Sequence, residues 1–465
     1  MTKPPTKRLS TATLAGARVR RAPRYERSAV QNFTHLGVGA FARAHLGVYA
    51  DDLNRRGWPA LIRGISLMSD RAEREMGPQD GLYTVAEREP DEEVALRVVG
   101  SITSVRTGAA AAVEAIAAPT TDFVTVTITE SGYDIPSARS DLHPAAPSVP
   151  EIIARALAQR RQAGGRPPII ASLDNLLGNG AILRQRVMET ADRLDSTLAS
   201  WIAEEVTFPS SVVDRMVPAP THDDVADVGA RLGLLDLATV SAERYRSWII
   251  SSAEALPPFA DVGVQVVTDV TPFERRKLWL LNGPHSAFAY CGLLAGCDTI
   301  AAAVRNATVR SYVQQMIDDT LELAQFPAAL DATRFARDAL RRFGNPSLGH
   351  TCLQVGADGS RKLPQRFLPI VEARRAARLD TSRFATVVAL WIASVGGLKI
   401  QGVPLPAAAD PEAPRLRAAV IDGDLPKVVD MALGRTYDAA FCGMVVASLQ
   451  HLSRDGLAVL SRDTQ

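Results

Sequence analysis

Apolar residues in the first half of the chain follow two alternating patterns. Short apolar or alternating runs, which are typical of strands, occur at 31–39, 60–67, 94–104, 123–129 and 168–172. Segments with apolar residues at helical spacing occur at 40–55, 152–163 and 180–198. Because strands that alternate with helices favour a mostly parallel sheet covered by helices, this half of the chain is predicted to be an α/β domain.

The pattern changes near residue 271, after which helical periodicity dominates and candidate strands are scarce. Helices are predicted at 273–295, 299–325, 330–342, 365–378, 382–397, 411–420, 426–434 and 438–453. We therefore predict an N-terminal arm at 1–27, an α/β domain at 28–270 and a mostly α-helical substrate and catalytic domain at 271–465.

Composition and charge limit the classes of partner. The chain has 465 residues, 46% of them hydrophobic and 22% charged, which suits two or three globular domains. The net charge of +1 favours neither nucleic acid nor an anionic membrane surface. No apolar run approaches the roughly 20 residues that span a bilayer. Residues 1–27 are basic and lack the apolar core of a signal peptide, so a cytoplasmic protein is expected.

The four cysteines show no metal-binding pattern. None of Cys291, Cys297, Cys352 and Cys442 belongs to a CxxC pair, and the first two lie in an apolar stretch without a neighbouring histidine. Small buried hydrophobic side chains are the expected role. No metal site is predicted, and a zinc-dependent alcohol dehydrogenase mechanism is not expected.

A glycine-rich turn joins the first predicted strand to the first predicted helix. In the form GxGxxA, Gly37 permits a tight turn, Gly39 lets the backbone approach a pyrophosphate, and Ala42 allows close packing of helix and sheet. The alternative is an ordinary strand-to-helix turn. The pattern favours a dinucleotide-binding, Rossmann-type domain, with cofactor contacts predicted at Gly37, Val38, Gly39, Ala40, Phe41 and Arg43.

The second predicted strand bears on the choice of cofactor. No acidic residue ends that strand, and Asp70 is the nearest carboxylate after it. If Asp70 binds the adenine ribose, it favours NAD over NADP, because a carboxylate repels a 2′-phosphate. The alternative role for Asp70 is the N-cap of a helix that begins at Arg71.

The segment from Phe273 to Ser286 carries the candidate catalytic groups. Only six of the 52 basic residues are lysines, and Lys277 precedes the apolar run Leu278–Leu281. Arginine stays protonated at working pH, whereas a desolvated lysine has a lowered pKa and can act as a general base. Such a base accepts the hydroxyl proton of an alcohol during its oxidation. The alternative is a surface lysine whose ammonium reaches solvent.

Three neighbours complete the candidate constellation. Asn282 can donate to a developing alkoxide, and His285 can bind a substrate hydroxyl or be an ordinary core histidine. Residues 277 and 282 would lie about 140° apart on an α-helix, so a break at Gly283 and Pro284 is predicted. Glu274 lies one turn before Lys277 and either relays the proton to solvent or forms a surface ion pair with Arg275 or Arg276.

With these residues the chain resembles the mannitol dehydrogenase family, the polyol-specific long-chain dehydrogenases and reductases. The resemblance extends over almost the whole chain, through segments 24–28, 35–45, 78–84, 127–133, 174–180 and 208–215. Lys277, Asn282 and His285 match the family signature.

The resemblance implies roles for single residues. Lys277 would be the base, Asn175 and Asn282 would polarise the reacting oxygen, and His285 and Asp214 would hold substrate hydroxyls. It also implies a Rossmann-type N-terminal domain, a helical C-terminal domain and a metal-independent reaction. NAD, which Asp70 favours over NADP, is the predicted cofactor, and a small polyol or sugar acid is the predicted substrate. A monomer is the expected state.

One segment departs from the mannitol 2-dehydrogenases of the family. His350 and Gln354 stand where those enzymes have Asp and Arg, which resembles the branch of the fructuronate reductases (mannonate oxidoreductases). Lys362, His350 and Arg366 are candidates for substrate binding, and Lys362 and Arg366 can pair with a carboxylate or phosphate. A solvated surface cluster is the alternative for that pair.

We predict NAD-linked interconversion of a linear polyol and its ketose, mannitol and fructose being the best single pair. Fructuronate with mannonate, and mannitol 1-phosphate with fructose 6-phosphate, remain alternatives. A nucleotide-sensing protein on the same fold is the non-enzymatic alternative.

Overall fold

The structure, a computed structural model, describes residues 5–128, 130–133, 147–253, 256–323, 326–421, 423–433 and 438–461. The chain divides into two compact units, Met1–Thr271 and Pro272–Gln465, called unit 1 and unit 2 below.

Within its described residues, unit 1 combines three sheets with eight α-helices. Its strands are β1 (Phe33–Leu36), β2 (Ile62–Ser66), β3 (Tyr83–Glu87), β4 (Ala95–Val99), β5 (Ile102–Thr107), β6 (Phe123–Val126), β7 (Ile169–Ser172), β8 (Ser211–Asp214), β9 (Val240–Ala242), β10 (Ser247–Ser251) and β11 (Gln265–Val267). Its helices are α1 (Ala40–Ala44), α2 (Leu46–Arg55), α3 (Arg71–Met76), α4 (Ala109–Ala117), α5 (Val149–Gln162), α6 (Asn179–Leu194), α7 (Ser196–Glu205) and α8 (His222–Leu232).

The principal sheet is parallel and has the strand order β5-β2-β1-β6-β7. Its two faces pack into different clusters. Phe33 and Phe123, which are register partners, lie in the cluster that includes α2, whereas Leu36 and Val124 pack with α4, α5 and α6. The sheet is therefore buried on both faces, as parallel sheets between helices are. The predicted α/β, Rossmann-type architecture is confirmed.

The two smaller sheets are mixed, in the orders β4-β3-β9 and β11-β10-β8. The single strand predicted at 94–104 is wrong, because β4 and β5 belong to different sheets and are separated by Gly100 and Ser101. Hydrophobic periodicity reports that a segment is buried and extended, but it does not report which neighbour the segment pairs with.

The described part of the segment predicted as an arm lies against unit 1. Leu9 is fully buried, and its N–H donates to Leu235 O at 2.9 Å. The Tyr25 hydroxyl donates to Asp51 Oδ1 at 2.5 Å, and Arg27 Nε donates to Gly100 O at 2.8 Å. These contacts attach the segment to α2 and to the start of β5.

Unit 2 is mostly helical, as predicted. Its helices are α9 (Thr271–Lys277), α10 (Gly283–Leu294), α11 (Ile300–Arg305), α12 (Ala307–Leu323), α13 (Ala332–Phe343), α14 (Cys352–Gly356), α15 (Gly359–Ala376), α16 (Ser382–Gly396), α17 (Ala413–Ile421), α18 (Leu425–Leu433) and α19 (Ala439–Asp455). The two-residue strands β12 (Lys399–Ile400) and β13 (Val403–Pro404) form a small antiparallel pair.

The helix α16 lies at the centre of unit 2. Every residue from Phe384 to Gly396 is buried, and its neighbours include α10, α15, α17 and α19. An apolar surface on all sides is typical of a core helix. Among the described residues, no helix has both the length and the hydropathy that a membrane span requires.

Candidate functional site

The glycine turn of unit 1 lies between β1 and α1. Gly37 has φ +98°, and a Cβ added to it would lie 2.1 Å from Thr127 O, so this position requires glycine. Gly39 is the N-cap of α1, and a Cβ there would have only Gly37 O, at 3.9 Å, within 4 Å. The space beside Gly39 is therefore open, which fits the close approach of a ligand phosphate to the backbone.

Side chains of β1 and of the segment that follows β6 hold this turn. The Thr127 hydroxyl donates to Gly37 O at 2.7 Å, and His35 Nε2 lies 3.0 Å from the same oxygen. His35 Nδ1 lies 2.8 Å from Thr125 Oγ1. Burial lowers the pKa of His35 to about 4, so the imidazole is neutral at pH 7. The histidine that supports the turn is thus uncharged.

Other residues predicted to bind the cofactor differ in their environments. Val38 is buried, and Ala40 and Phe41 are half-buried at the start of α1. Arg43 is buried and donates from Nη1 to Ala238 O at 2.6 Å and from Nε to Gly39 O at 3.3 Å. Burial lowers its pKa. These bonds go to the backbone, so they support the turn, and direct contact of Arg43 with a cofactor stays a prediction.

Asp70 occupies the N-cap position of α3, but its side chain makes no capping hydrogen bond. Its carboxylate is about half exposed and lies 3.2 Å from Arg74 Nη2. The structure gives Asp70 an i,i+4 ion pair instead of the side-chain cap. Its contact with an adenine ribose stays a prediction.

A second group of polar residues follows β7, at the carboxyl end of the parallel sheet. The Asp174 carboxylate is buried and accepts from Ile128 N–H at 2.9 Å and from the Tyr133 hydroxyl at 2.7 Å. Asn179 Nδ2 donates to Asp174 O and Ser211 O, each at 2.9 Å. These bonds fix the loop that presents Asn175, whose side chain is exposed.

Asp214 is the last residue of β8 and is buried. Asn179 Oδ1 accepts from the Ser211 N–H at 2.9 Å, so the β7 loop and β8 are joined by one side chain. Next to Asp214, the buried Arg215 pairs with Glu87 at 2.9 Å. Asn175 and Asp214 therefore lie on segments that are connected within unit 1.

In unit 2, Lys277 ends α9 and is followed by one π-helical turn, Leu278–Asn282. The Gly283 N–H donates to Leu278 O, an i→i+5 bond. The predicted break at Gly283 and Pro284 is wrong, because the helix widens and continues as α10. A wider turn brings residues five apart closer to one face than an α-helix does, and π-turns are frequent at functional sites. Pro284 explains the widening, since its ring would clash with the carbonyl four residues earlier.

Burial differs among the candidate catalytic residues. Lys277 is half-buried, and Asn282 is buried. Glu274 is only 9% exposed. This burial contradicts the surface location of the alternative ion pair, and the pairing of Glu274 with Arg275 or Arg276 stays a prediction. The role of Glu274 as a proton relay stays a prediction.

His285 lies one turn after Asn282 and stacks on Phe343, with ring centroids 4.6 Å apart and an interplanar angle of 13°. The His350 ring lies 6.0 Å away. The residue as a whole is half-buried, but Nε2 is fully buried and lacks a hydrogen-bond partner within the described part of the chain. Burial, followed by the neighbouring basic groups His350 and Arg366, lowers the pKa of His285 well below its usual value.

Three residues of the divergent segment have defined positions. Gln354 forms a capping box with Thr351 at the start of α14 and is exposed. Lys362 Nζ donates to Ala357 O at 2.6 Å. Arg366 is buried, and its Nη1 donates to Asn282 O at 3.1 Å and to Ser286 Oγ. The alternative of a solvated cluster is therefore wrong for Arg366.

The four cysteines are free, and three of them are buried, as expected for small hydrophobic side chains. Within the ranges that the structure describes, no group of three or more His, Cys, Asp or Glu residues is arranged to hold a metal ion.

Sequence reasoning missed the supporting residues. The roles of His35, Thr127 and Asn179 depend on contacts between distant segments, and Arg366 was considered only as a ligand for an anion. Polar types at otherwise apolar positions, such as His35 in β1, were the available indication.

Comparison with known proteins identifies the family of both units. The model of the mannitol dehydrogenase Rossmann domain matches residues 31–258, and that of the mannitol dehydrogenase C-terminal domain matches residues 269–450. The D-mannonate oxidoreductase of Escherichia coli (strain K12) is 35% identical over 82% of this chain and 83% of its own length. A mannitol 2-dehydrogenase of Phaeosphaeria nodorum is 32% identical over 98% of this chain and 85% of its own.

Among solved structures, the Pseudomonas fluorescens mannitol 2-dehydrogenase in a ternary complex with NAD and D-mannitol is similar throughout. It has a TM-score of 0.87 and 29% identity, and the match covers 97% of this chain and 98% of that one. The chain belongs to the mannitol dehydrogenase family of oxidoreductases.

Proposed function

We propose that this protein interconverts a linear polyol and its ketose in an NAD-linked, metal-independent reaction, with mannitol and fructose as the first pair to test. The observation that carries the proposal is the widened turn that follows Lys277 and ends at Asn282, with His285 one turn later. The wider turn brings Lys277 and Asn282 closer to one face, where a proton acceptor and an oxyanion donor can act on the same oxygen.

The glycine turn is suited to NAD. Open space beside Gly39 and the backbone N–H groups at the start of α1 fit a pyrophosphate. When bound, NAD supplies the hydride acceptor for alcohol oxidation. Gly37, Val38, Gly39, Ala40, Phe41 and Arg43 form or support this proposed site, and Asp70 is the proposed ribose ligand.

Each candidate side chain has one proposed task. Lys277 accepts the substrate hydroxyl proton, and Glu274 passes it on. Asn282 and Asn175 donate hydrogen bonds to the reacting oxygen, where negative charge develops. His285 and Asp214 bind substrate hydroxyls. A neutral imidazole suits this task, because it can donate or accept.

A sugar acid is the second candidate substrate. Gln354 replaces the arginine of the mannitol 2-dehydrogenases. Besides burial, the nearby basic groups His350, Arg366 and Lys362 lower the pKa of His285. Such a cluster favours a carboxylate. The 35% identical relative named D-mannonate oxidoreductase supports the same alternative. Mannitol 1-phosphate is the third candidate, because Lys362 and Arg366 can also pair with a phosphate.

The test is oxidation of NADH with fructose, fructuronate and fructose 6-phosphate in parallel, each with and without EDTA. Turnover of fructose that is insensitive to EDTA is the expected result. Preference for fructuronate would move the assignment to the sugar acids, and inhibition by EDTA would contradict metal independence. Quenching of tryptophan fluorescence by NADH without turnover of any substrate would favour a nucleotide sensor.

A further inference from the structure

Two neighbouring residues of α15 contact the junction between the π-turn and α10. Arg366 Nη1 donates to Asn282 O at 3.1 Å and to Ser286 Oγ, and only 9% of the residue is exposed. Phe367 is fully buried, and a Cβ added to Gly283 would lie 3.4 Å from its Cε1 atom. Arg366 therefore makes the polar contact with the junction, and the next residue, Phe367, makes the apolar one.

Arg366 brings a buried donor to this junction from another helix. At Asn282 the i→i+5 bonding of the π-turn changes to the i→i+4 bonding of α10. A carbonyl oxygen has two lone pairs, so Asn282 O can accept from an outside donor as well as from its own helix. A guanidinium has several N–H groups in a planar fork, so one side chain can serve both the Asn282 carbonyl and the Ser286 hydroxyl.

The two acceptors flank the residues to which we assign catalysis. Asn282 O belongs to the proposed oxyanion donor, and Ser286 follows His285 directly. A shift of the backbone here would move both side chains at once. Displacement of a catalytic group by about 1 Å can lower a rate by about 10²-fold.

We propose that Arg366 is a positioning residue, which holds the π-turn so that Asn282 and His285 are aligned for the reaction. This inference rests on the proposed function of the same turn. Arg366 itself touches no reacting atom. It acts through the backbone of residue 282 and the hydroxyl of residue 286.

The experiment compares three variants of the full chain. Arg366→Gln removes the charge and the forked donor, and Arg366→Lys keeps the charge but loses the planar fork. Arg374→Lys is the matched control, because Arg374 is a buried arginine of the same helix that contacts Asp319, Glu322 and the Asp380 carbonyl instead. For each variant we would measure kcat and KM with the preferred ketose, the Kd of NADH, Tm, and amide hydrogen exchange over 278–287.

We expect kcat to fall about 10–10²-fold in Arg366→Gln and about tenfold in Arg366→Lys, with the Kd of NADH unchanged. Exchange over 278–287 should become faster in both. Arg374→Lys should lower Tm while leaving kcat within about twofold. Ser286→Ala should lower kcat a few-fold, and its effect should not add to that of Arg366→Lys, because the two residues share one hydrogen bond.

A kcat within about twofold of the wild-type value in Arg366→Lys, with unchanged exchange over 278–287, would overturn the proposal. The proposal would also be overturned if Arg366→Gln and Arg366→Lys lowered Tm without lowering kcat, as is expected of Arg374→Lys. If Arg366→Gln does not fold, Arg366→Lys and Ser286→Ala decide the question. A wild-type protein that turns over no ketose contradicts the proposed function, and the exchange measurement then still tests whether Arg366 holds the turn.

Discussion

The two units build their candidate functional segments by different physical means. In unit 1 the turn at 37–39 depends on backbone conformation, since Gly37 has a positive φ. The neutral side chains of His35 and Thr127 hold the Gly37 carbonyl, and the buried Arg43 donates to Gly39 O. In unit 2 the turn at 278–282 depends on a π-helical bulge and a buried cation, Arg366. A backbone site suits an anionic ligand, because N–H groups can approach it closely. A side-chain site suits proton transfer, because it requires titratable groups.

The largest expected effect tests the side-chain site. Lys277→Ala should lower kcat about 10²–10⁴-fold, because a general base contributes about that much. The Kd of NADH, measured by tryptophan fluorescence, should stay as in the wild type, since the proposed NADH contacts lie in unit 1. Unchanged turnover would discard the assignment of Lys277 as the base. Lys399→Ala, at an exposed lysine of the same unit, is the control.

Asn282→Ala should lower kcat about 10²–10³-fold, the cost of removing one oxyanion donor. Asn282→Asp keeps the size of the side chain but removes its N–H donors, so a similar loss is expected. Steady-state kinetics on both variants provide the measurement. A loss of tenfold or less in both would limit Asn282 to a positioning role.

Alanine at Gly37 and alanine at Gly39 should differ in their effects on stability and on NADH binding. Gly37→Ala should destabilise unit 1 by on the order of 1–3 kcal/mol or more, because its Cβ would collide with Thr127 O in a conformation that favours glycine. Gly39→Ala should leave Tm nearly unchanged, because its Cβ enters open space, but it should weaken NADH binding. Thermal unfolding and NADH titration separate the two effects.

If Gly37→Ala and Gly39→Ala changed Tm and NADH binding to the same extent, the two glycines would not have the separate roles assigned to them. If Gly39→Ala bound NADH as tightly as the wild type, the open space would not be the pyrophosphate site.

Acid destabilisation should depend on His35. Burial lowers its pKa in the folded protein to about 4, below the unfolded value of about 6.5. The unfolded chain therefore binds more protons between these values, and the free energy of unfolding falls as pH decreases from about 6.5 to about 4. A pKa difference of this size changes the free energy of unfolding by roughly 3 kcal/mol across the window.

His35→Gln removes the ionisable group, so the free energy of unfolding should depend less steeply on pH in that window. Some dependence should remain, because burial also lowers the pKa of His45, to about 3. Urea unfolding at several pH values provides the measurement, with His222→Gln at an exposed helix start as the control. An unaltered slope in His35→Gln would contradict the neutral buried imidazole.

The sequence alone determined the features that depend on local pattern. The GxGxxA turn, the alternating strands and helices of unit 1 and the helices of unit 2 follow from spacing along the chain, because periodicity records which side of an element is buried. The resemblance of the Lys277, Asn282 and His285 segment to one family also came from the sequence, and the family is confirmed.

The tertiary structure decided which distant segments meet. It assigned the two halves of 94–104 to different sheets, placed Thr127 against Gly37, and brought Arg366 to Asn282 across 84 residues of chain. It also replaced the expected break at Gly283 with a π-turn. These features could not be predicted from spacing, because they depend on which buried polar groups find partners once the units have folded.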